Sequence, residues 1–190
     1  MYESIKSVKL STDKVIHTKH GIHFKKTSKN SYNLSFLLEN NNFVLSSIID
    51  FELIHLIYTL NTDIYEKVAM EKINDSESNV TIVMKKIMFD LFSQRYAYLH
   101  TTKHIENNNV IFTSKTITTD KPCDINDKLE LLTIESIINK FEILSPHKLH
   151  FECHIKFNDF THIPTLFDKI IGIIINKIFY RVKSFIESMK

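Results

Sequence analysis

Apolar positions in the last quarter of the chain recur at helical spacing. Ile163, Phe167, Ile171, Ile174, Ile178, Val182, Phe185 and Met189 are separated by steps of three and four, which puts them on one side of an α-helix. Pro164 suits a first helical turn, where the missing amide has no intrahelical partner to lose. The spacing predicts a helix from Pro164 to the end, roughly 25 residues and about 38 Å long. Lys169, Asn176, Lys183 and Glu187 fall opposite the stripe. Beside it runs a second apolar row, Leu166, Ile170 and Ile173, which turns polar at Lys177, Tyr180, Arg181 and Ser184. A helix lying on one sheet face needs a single stripe. The extra row calls for another apolar partner: a folded-over loop, a bound apolar molecule or a membrane surface.

Upstream the period changes to two. Residues 15–26 read as two short strands around the turn signal His20-Gly21, and residues 32–38 as a third. Asn40, Asn41 and Asn42 supply capping side chains, and residues 43–58 return to helical spacing with a break near Asp50. Alternating or β-branched runs follow at 66–73, 80–88, 95–104 and 110–118, with polar turns at 75–79 and 107–109. Residues 128–144 and 148–158 form a last strand pair around Ser145-Pro146-His147. No repeat, linker or charge block divides the chain, so residues 1–190 are expected to form one domain. The predicted class is α+β: an antiparallel sheet of about seven to nine strands and a long C-terminal helix.

Composition narrows the function. Apolar residues are 43% and charged residues 24%, with a net charge of +2, ordinary values for a globular domain. No dense Lys/Arg cluster is present, which argues against nucleic acid as a partner. Cys123 and Cys153 are the only cysteines, and neither belongs to a metal-ligand pair. Two reduced thiols, and an N-terminus without a basic flank and apolar run, point to a cytoplasmic protein. The apolar run at 170–175 is far too short to span a bilayer.

Four segments carry a family resemblance. Ser93-Gln94-Arg95-Tyr96-Ala97-Tyr98-Leu99-His100 resembles the Ser-Pro-Arg-Asp-Phe-Val-Tyr-Leu-Arg strand of START lipid-transfer domains. Asn109-Val110-Ile111-Phe112-Thr113-Ser114-Lys115 is similar to that family's next strand. Asn158-Asp159-Phe160-Thr161-His162-Ile163-Pro164 resembles its entry to the last helix, and His20-Gly21-Ile22-His23-Phe24-Lys25-Lys26 its opening. In order and spacing the resemblance covers residues 14–189. It implies the helix-grip fold, a curved sheet wrapped around the C-terminal helix with one lipid between them. By that alignment Thr81, Tyr98, His100, Ile111 and Ile134 are expected to line the cavity. Leu166, Ile170 and Ile173 are expected at the cavity or its gate, with Phe167, Ile171 and Ile178 on the core. Sterol-binding members carry a buried acid–base pair where this chain has Thr81 and His100. Choline cages favour Trp, of which this chain has none.

The remaining chemistry is sparse. His17, His20 and His23, and His147, His150 and His154, invite a metal reading. On a strand, however, only 150 and 154 of the second set share a face, and polar-face histidines are the simpler account. No His-Glu-x-x-His motif, phosphate-cradling Gly loop or nucleophile elbow occurs. His100 with Glu130 or Glu135 is a candidate acid–base pair, weighed against a single polar anchor in a cavity. The expectation is a non-enzymatic lipid carrier or sensor, binding phospholipid or sterol, with no catalytic residue, metal or cofactor. It would touch membrane surfaces transiently, and Lys169, Lys177, Arg181 and Lys183 are candidates for docking on anionic lipid. The alternatives are a cyclase-like enzyme on the same fold, and an interaction module whose cavity has filled.

Overall fold

A computed structural model describes residues 13–86, 94–118, 122, 125–126, 128–158 and 168–190. Strands β1 (Lys14–Lys19) and β2 (Ile22–Ser28) form a hairpin. Its two turn residues, His20 and Gly21, have φ of 55° and 72°. Positive φ at both positions gives the turn whose twist matches that of the flanking strands. Strand β3 (Ser31–Glu39) follows, then a single 3-10 turn (Leu45–Ile48) and helix α1 (Phe51–Thr59). The break expected near Asp50 is there for a local reason. Asp50 caps α1, its carboxylate accepting from the Leu53 amide at 3.1 Å.

The meander β4 (Tyr65–Asn74), β5 (Glu77–Met84), β6 (Arg95–Glu106) and β7 (Asn109–Thr116) comes next. The single strand expected over 128–144 is divided into β8 (Glu130–Leu131) and β9 (Ile134–Ser145). Thr116 fixes the second piece: its hydroxyl accepts from the Ile134 amide at 2.7 Å and donates to the Ile134 carbonyl at 2.9 Å. Strand β10 (Lys148–Phe157) and helix α2 (Asp168–Ser188) complete the chain. Nine strands lie in the order β1-β2-β3-β10-β9-β7-β6-β5-β4, each pair antiparallel, and β8 pairs in parallel with β6. This is the predicted class, an open antiparallel sheet with a long C-terminal helix. Pro164 and Phe167 lie outside the described residues.

An aromatic belt ties the sheet to both helices. Phe51 of α1 meets Phe112 edge-on at 5.4 Å, and Phe112 meets Phe141 at 6.0 Å. Phe141 and Phe151 are 4.8 Å apart, and Phe151 reaches Phe179 of α2 at 5.3 Å. Phe112, Phe141 and Phe151 are almost fully buried. Ring pairs of this kind add to the stabilisation from burial itself.

The seam by which α2 grips the sheet differs from the stripe read from sequence. Its buried residues are Asp168, Gly172, Asn176, Ile178, Phe179, Val182 and Ile186. Phe185, expected in the stripe, is 43% exposed. In the first half of the helix the buried side is polar or small because α2 comes very close to β1. A Cβ on Gly172 would lie 3.0 Å from Ile16 Cγ2 and 3.2 Å from His17 Cβ. Asp168 accepts from Lys26 Nζ at 2.9 and 3.0 Å and from the Tyr32 hydroxyl at 3.0 Å. Burial, with the Asp168 carboxylate beside it, pushes the Tyr32 phenol far above its ordinary range. Asn176 donates to the Lys19 carbonyl at 3.2 Å.

A second clasp joins α2 to the loop after α1. Asp63 accepts from Lys177 at 2.5 Å and from both Arg181 nitrogens. Buried Asn61 donates to the Ile178 carbonyl and accepts from Arg181 at 3.1 Å. The Arg181 and Lys177 hydrogen bonds hold the Asp63 carboxyl well below the usual carboxylate range.

Two measurements check these contacts. Gly172→Leu is expected to lower stability by about 1–3 kcal/mol in urea unfolding, the range for overpacking a tight seam. Asp63→Asn tests the clasp by its pH dependence. A depressed carboxyl pKa contributes stability above the unfolded value, about 3.9, and loses it as pH falls through the folded value. The wild-type advantage over Asp63→Asn should therefore be constant near neutrality and shrink steadily below about pH 4. Its size should be about 1 kcal/mol or less, because the Asp63 side chain is 42% exposed and water screens the pair.

Candidate functional site

The inner face of the sheet carries two apolar clusters. The larger joins β2, β3, β10, β7, α1 and α2. The smaller consists of Val80, Ile82, Ala97, Leu99 and Ile134, on β5, β6 and the start of β9. Tyr58, Tyr65, Met70, Ile137 and Phe157 pack against both, and all five are only half-buried. Ile171, Ile174 and Ile175 of α2 are half-buried against the larger cluster. The seam on β1 and β2 uses the other side of the helix, so these isoleucines are left on the flank beside it. The clusters are thus bridged by side chains that retain accessible surface, whereas a close-packed core would leave almost none.

Tyr58 and Tyr65 stand at the middle of this region. Tyr58 is in the last turn of α1 and Tyr65 is the first residue of β4. The tight turn between them is set by Asn61, whose carbonyl accepts from the Ile64 and Tyr65 amides at 2.9 and 3.0 Å. The two rings meet edge-to-face at 5.4 Å. Burial, more than any neighbouring charge, pushes both phenols far above their ordinary range. Cys153 lies close enough to act on both, and burial pushes its thiol up to about 12.

The residues expected at the site fall into three groups. Ile134 is buried in the smaller inner cluster. Thr81, Tyr98 and His100 are on the opposite, outer face of the sheet. The register pairs Val80 with Leu99 and Thr81 with Tyr98, and Val80 and Leu99 belong to the inner cluster. Side chains alternate along a strand, so a shift of one residue reverses every side chain. Tyr98 and His100 do share a face. There Asn79 links them, its side-chain oxygen accepting from His100 Nδ1 at 3.1 Å and its amide nitrogen donating to the Tyr98 hydroxyl at 3.4 Å. Ile111 is also on the outer face, next to buried Phe112 and opposite Lys140 and His104.

On α2, Ile170 is half-buried and Ile173 is 57% exposed. Leu166 lies outside the described residues. The rows expected for core and cavity are thereby rearranged. Ile178 is core, Ile171 and Ile174 are half-buried against the larger cluster, and Ile173 faces outward.

Other expectations resolve into structural roles. His147 is not poised for a metal: its Nδ1 lies 3.0 and 2.9 Å from the Asn40 and Phe43 carbonyls. Among the described residues, no three His, Cys, Asp or Glu side chains converge as a metal site. Of the four helix cations, Lys177 and Arg181 are bound to Asp63, and Lys183 to Glu187 and the Leu37 carbonyl. Lys169, at the helix start, is exposed. Among the described residues, no helix is long and apolar enough to cross a membrane. A concavity of about 340 Å³ lies beside α1, between Ile48, Leu53, Leu56 and the α2 residues Phe185, Ile186 and Met189.

Solved structures with this architecture share it over almost the whole chain. The human StarD13 (DLC2) lipid transfer and protein localization domain superposes with a TM-score of 0.70 at 10% identity, over 95% of this chain and 92% of that one. Human StAR-related lipid transfer protein 5 gives 0.64 at 10% identity, over 92% and 84%. A fragment of a STAR-related lipid transfer protein from Xanthomonas axonopodis gives 0.64 at 8% identity, over 92% and 98%. The fold is therefore that of START-type helix-grip domains. No protein-family model matches the sequence. No curated protein matches it either.

The thiol gives a direct check on how closed this region is. With its pKa near 12, Cys153 carries only about one thiolate in ten thousand at pH 8. Iodoacetamide at pH 8 should leave Cys153 unmodified in the native protein and alkylate it fully after denaturation, as read by peptide mass spectrometry.

Proposed function

We propose that this chain is a non-enzymatic lipid carrier or sensor, holding one lipid between α2 and the β4–β6 half of the sheet. The observation that carries this reading is the half-buried bridge of Tyr58, Tyr65, Met70, Ile137 and Phe157, with Ile171 and Ile174 of α2 half-buried against the larger of the clusters it joins. A folded chain gains by burying such side chains completely, at about 25 cal/mol per Å². Apolar surface left half-covered at the centre of the fold is what an acyl chain or a ring system would cover. The driving force is desolvation, roughly 0.8 kcal/mol for each methylene moved out of water. The three structural neighbours described as lipid transfer proteins support the same reading.

In this proposal the lining consists of the bridge residues with Ile134, and Ile170 stands at the rim. Thr81, Tyr98, His100 and Ile111 stay outside it, because they are on the outer face. Transient membrane contact is assigned to the exposed start of α2, where Lys169 and Ile173 point away from the sheet. The cations already bound to Asp63 and Glu187 are not needed for it. The setting that suits such a carrier is the cytoplasm, with visits to membrane surfaces.

The chain has no tryptophan, so one can be introduced as a reporter without background. Phe157→Trp is expected to fold and to fluoresce from the lining. Vesicles containing phospholipid brominated on the acyl chain should quench it, with less quenching when unlabelled lipid competes. Organic extracts of protein purified from cells should contain a stoichiometric lipid by mass spectrometry. An empty extract together with an unquenched reporter would remove the carrier reading and leave an interaction module with a filled interior.

A further inference from the structure

The two tyrosines at the centre of the bridge are an unusual choice for an apolar lining. A buried phenol hydroxyl normally finds a hydrogen-bond partner. Here neither does: among the described residues, neither the Tyr58 nor the Tyr65 hydroxyl makes a hydrogen bond. Nor are the two residues sealed off, because both keep part of their surface accessible. They are deep in the fold and still in contact with accessible space. A polar group in that position is satisfied by water or by a ligand atom, since leaving it bare costs about 1–3 kcal/mol.

The surroundings narrow what that ligand atom is. The ionisable side chains that act on these phenols are each other and Cys153, whose thiol is itself neutral at ordinary pH. Among the described residues no carboxylate, ammonium or guanidinium acts on them. A phosphate or quaternary ammonium buried beside them would find no counter-charge among the described residues, and an uncompensated buried charge is strongly disfavoured. An uncharged oxygen meets no such penalty. A hydroxyl can accept from one phenol and donate to the other, and a carbonyl can accept from both.

We propose that Tyr58 and Tyr65 form the polar end of the ligand site and select an apolar molecule carrying a neutral oxygen group, a hydroxyl or a carbonyl, over one with a charged head. The inference rests on the lipid-carrier reading and deepens it. The phenols contribute specificity, and the apolar lining contributes most of the affinity.

The test uses two fluorescent probes that differ in one oxygen, pyrene-decanol and pyrene-decane, titrated into the full chain. Wild type, Tyr58→Phe, Tyr65→Phe and the double variant are compared. The ratio of alcohol to alkane affinity is expected to fall about tenfold in the double variant, the scale of one or two hydrogen bonds made only to the alcohol. Each single variant should fall part of the way. Alkane affinity should be unchanged. Thermal unfolding should occur at or above the wild-type temperature, because no bond within the protein is lost. If both probes bind and the ratio is the same in all four proteins, the phenol assignment is overturned while the carrier reading survives. If neither probe binds wild type, the carrier reading fails and the assignment fails with it.

Discussion

The architecture depends on how closely α2 approaches the first hairpin. Gly172 brings the helix onto Ile16 and His17 with no room for a side chain. Glycine in a helix interior costs about 1 kcal/mol relative to alanine, so contact at this seam must offset that loss. On either side of it the seam is polar: Asp168 is fixed by Lys26 and Tyr32, and Asn176 by the Lys19 carbonyl. With Asp168, Gly172 and Asn176 turned toward β1 and β2, the isoleucines of the same turns have no place in the seam. They stay half-buried beside it, against the larger inner cluster. The half-covered interior follows from the seam's being made of a charge, a glycine and an amide.

The order of strands and helices was legible from the sequence because each element kept its own period. The break at Asp50 and the turn at His20-Gly21 could be read from single residues with one dominant preference. The exact seam of α2 could not. Hydrophobic periodicity finds the apolar side of a helix, and here the tightest contact is on residues that periodicity counts as polar. Asp168 and Asn176 are buried because specific partners on β2, β3 and the end of β1 await them, and those partners are distant in sequence.

The inner faces of β5 and β6 were misread for a related reason. Val80, Thr81, Ile82 and Val83 are all buried, so alternation is absent in β5. The cause is a covering layer on the outer face, where Val83 and Tyr96 pack against Ile125, Leu129 and Leu131. With both faces covered, the sequence holds no signal to choose between them, and an alignment one residue off looks equally good. Tyr58 and Tyr65 were missed because each reads as ordinary: one continues a helix and the other opens a strand. Only the turn around Asn61 brings the rings together.

The two ends of α2 are held very differently. Near its C-terminus, Asn40 donates to the Ile186 and Met189 carbonyls, and its own side-chain oxygen accepts from the Asn42 and Phe43 amides. The His147 ring closes on the same corner from the β9–β10 turn. Three separate parts of the chain thus meet at Asn40, the helix end through its side chain and the β9–β10 turn through its backbone carbonyl. At the opposite end, the Asp168 carboxylate ties the first described turn to Lys26 and Tyr32, one turn before Gly172 meets β1. One end of the helix is thus anchored through backbone carbonyls, which pH leaves unchanged, and the other through a carboxylate, whose charge an acid can remove.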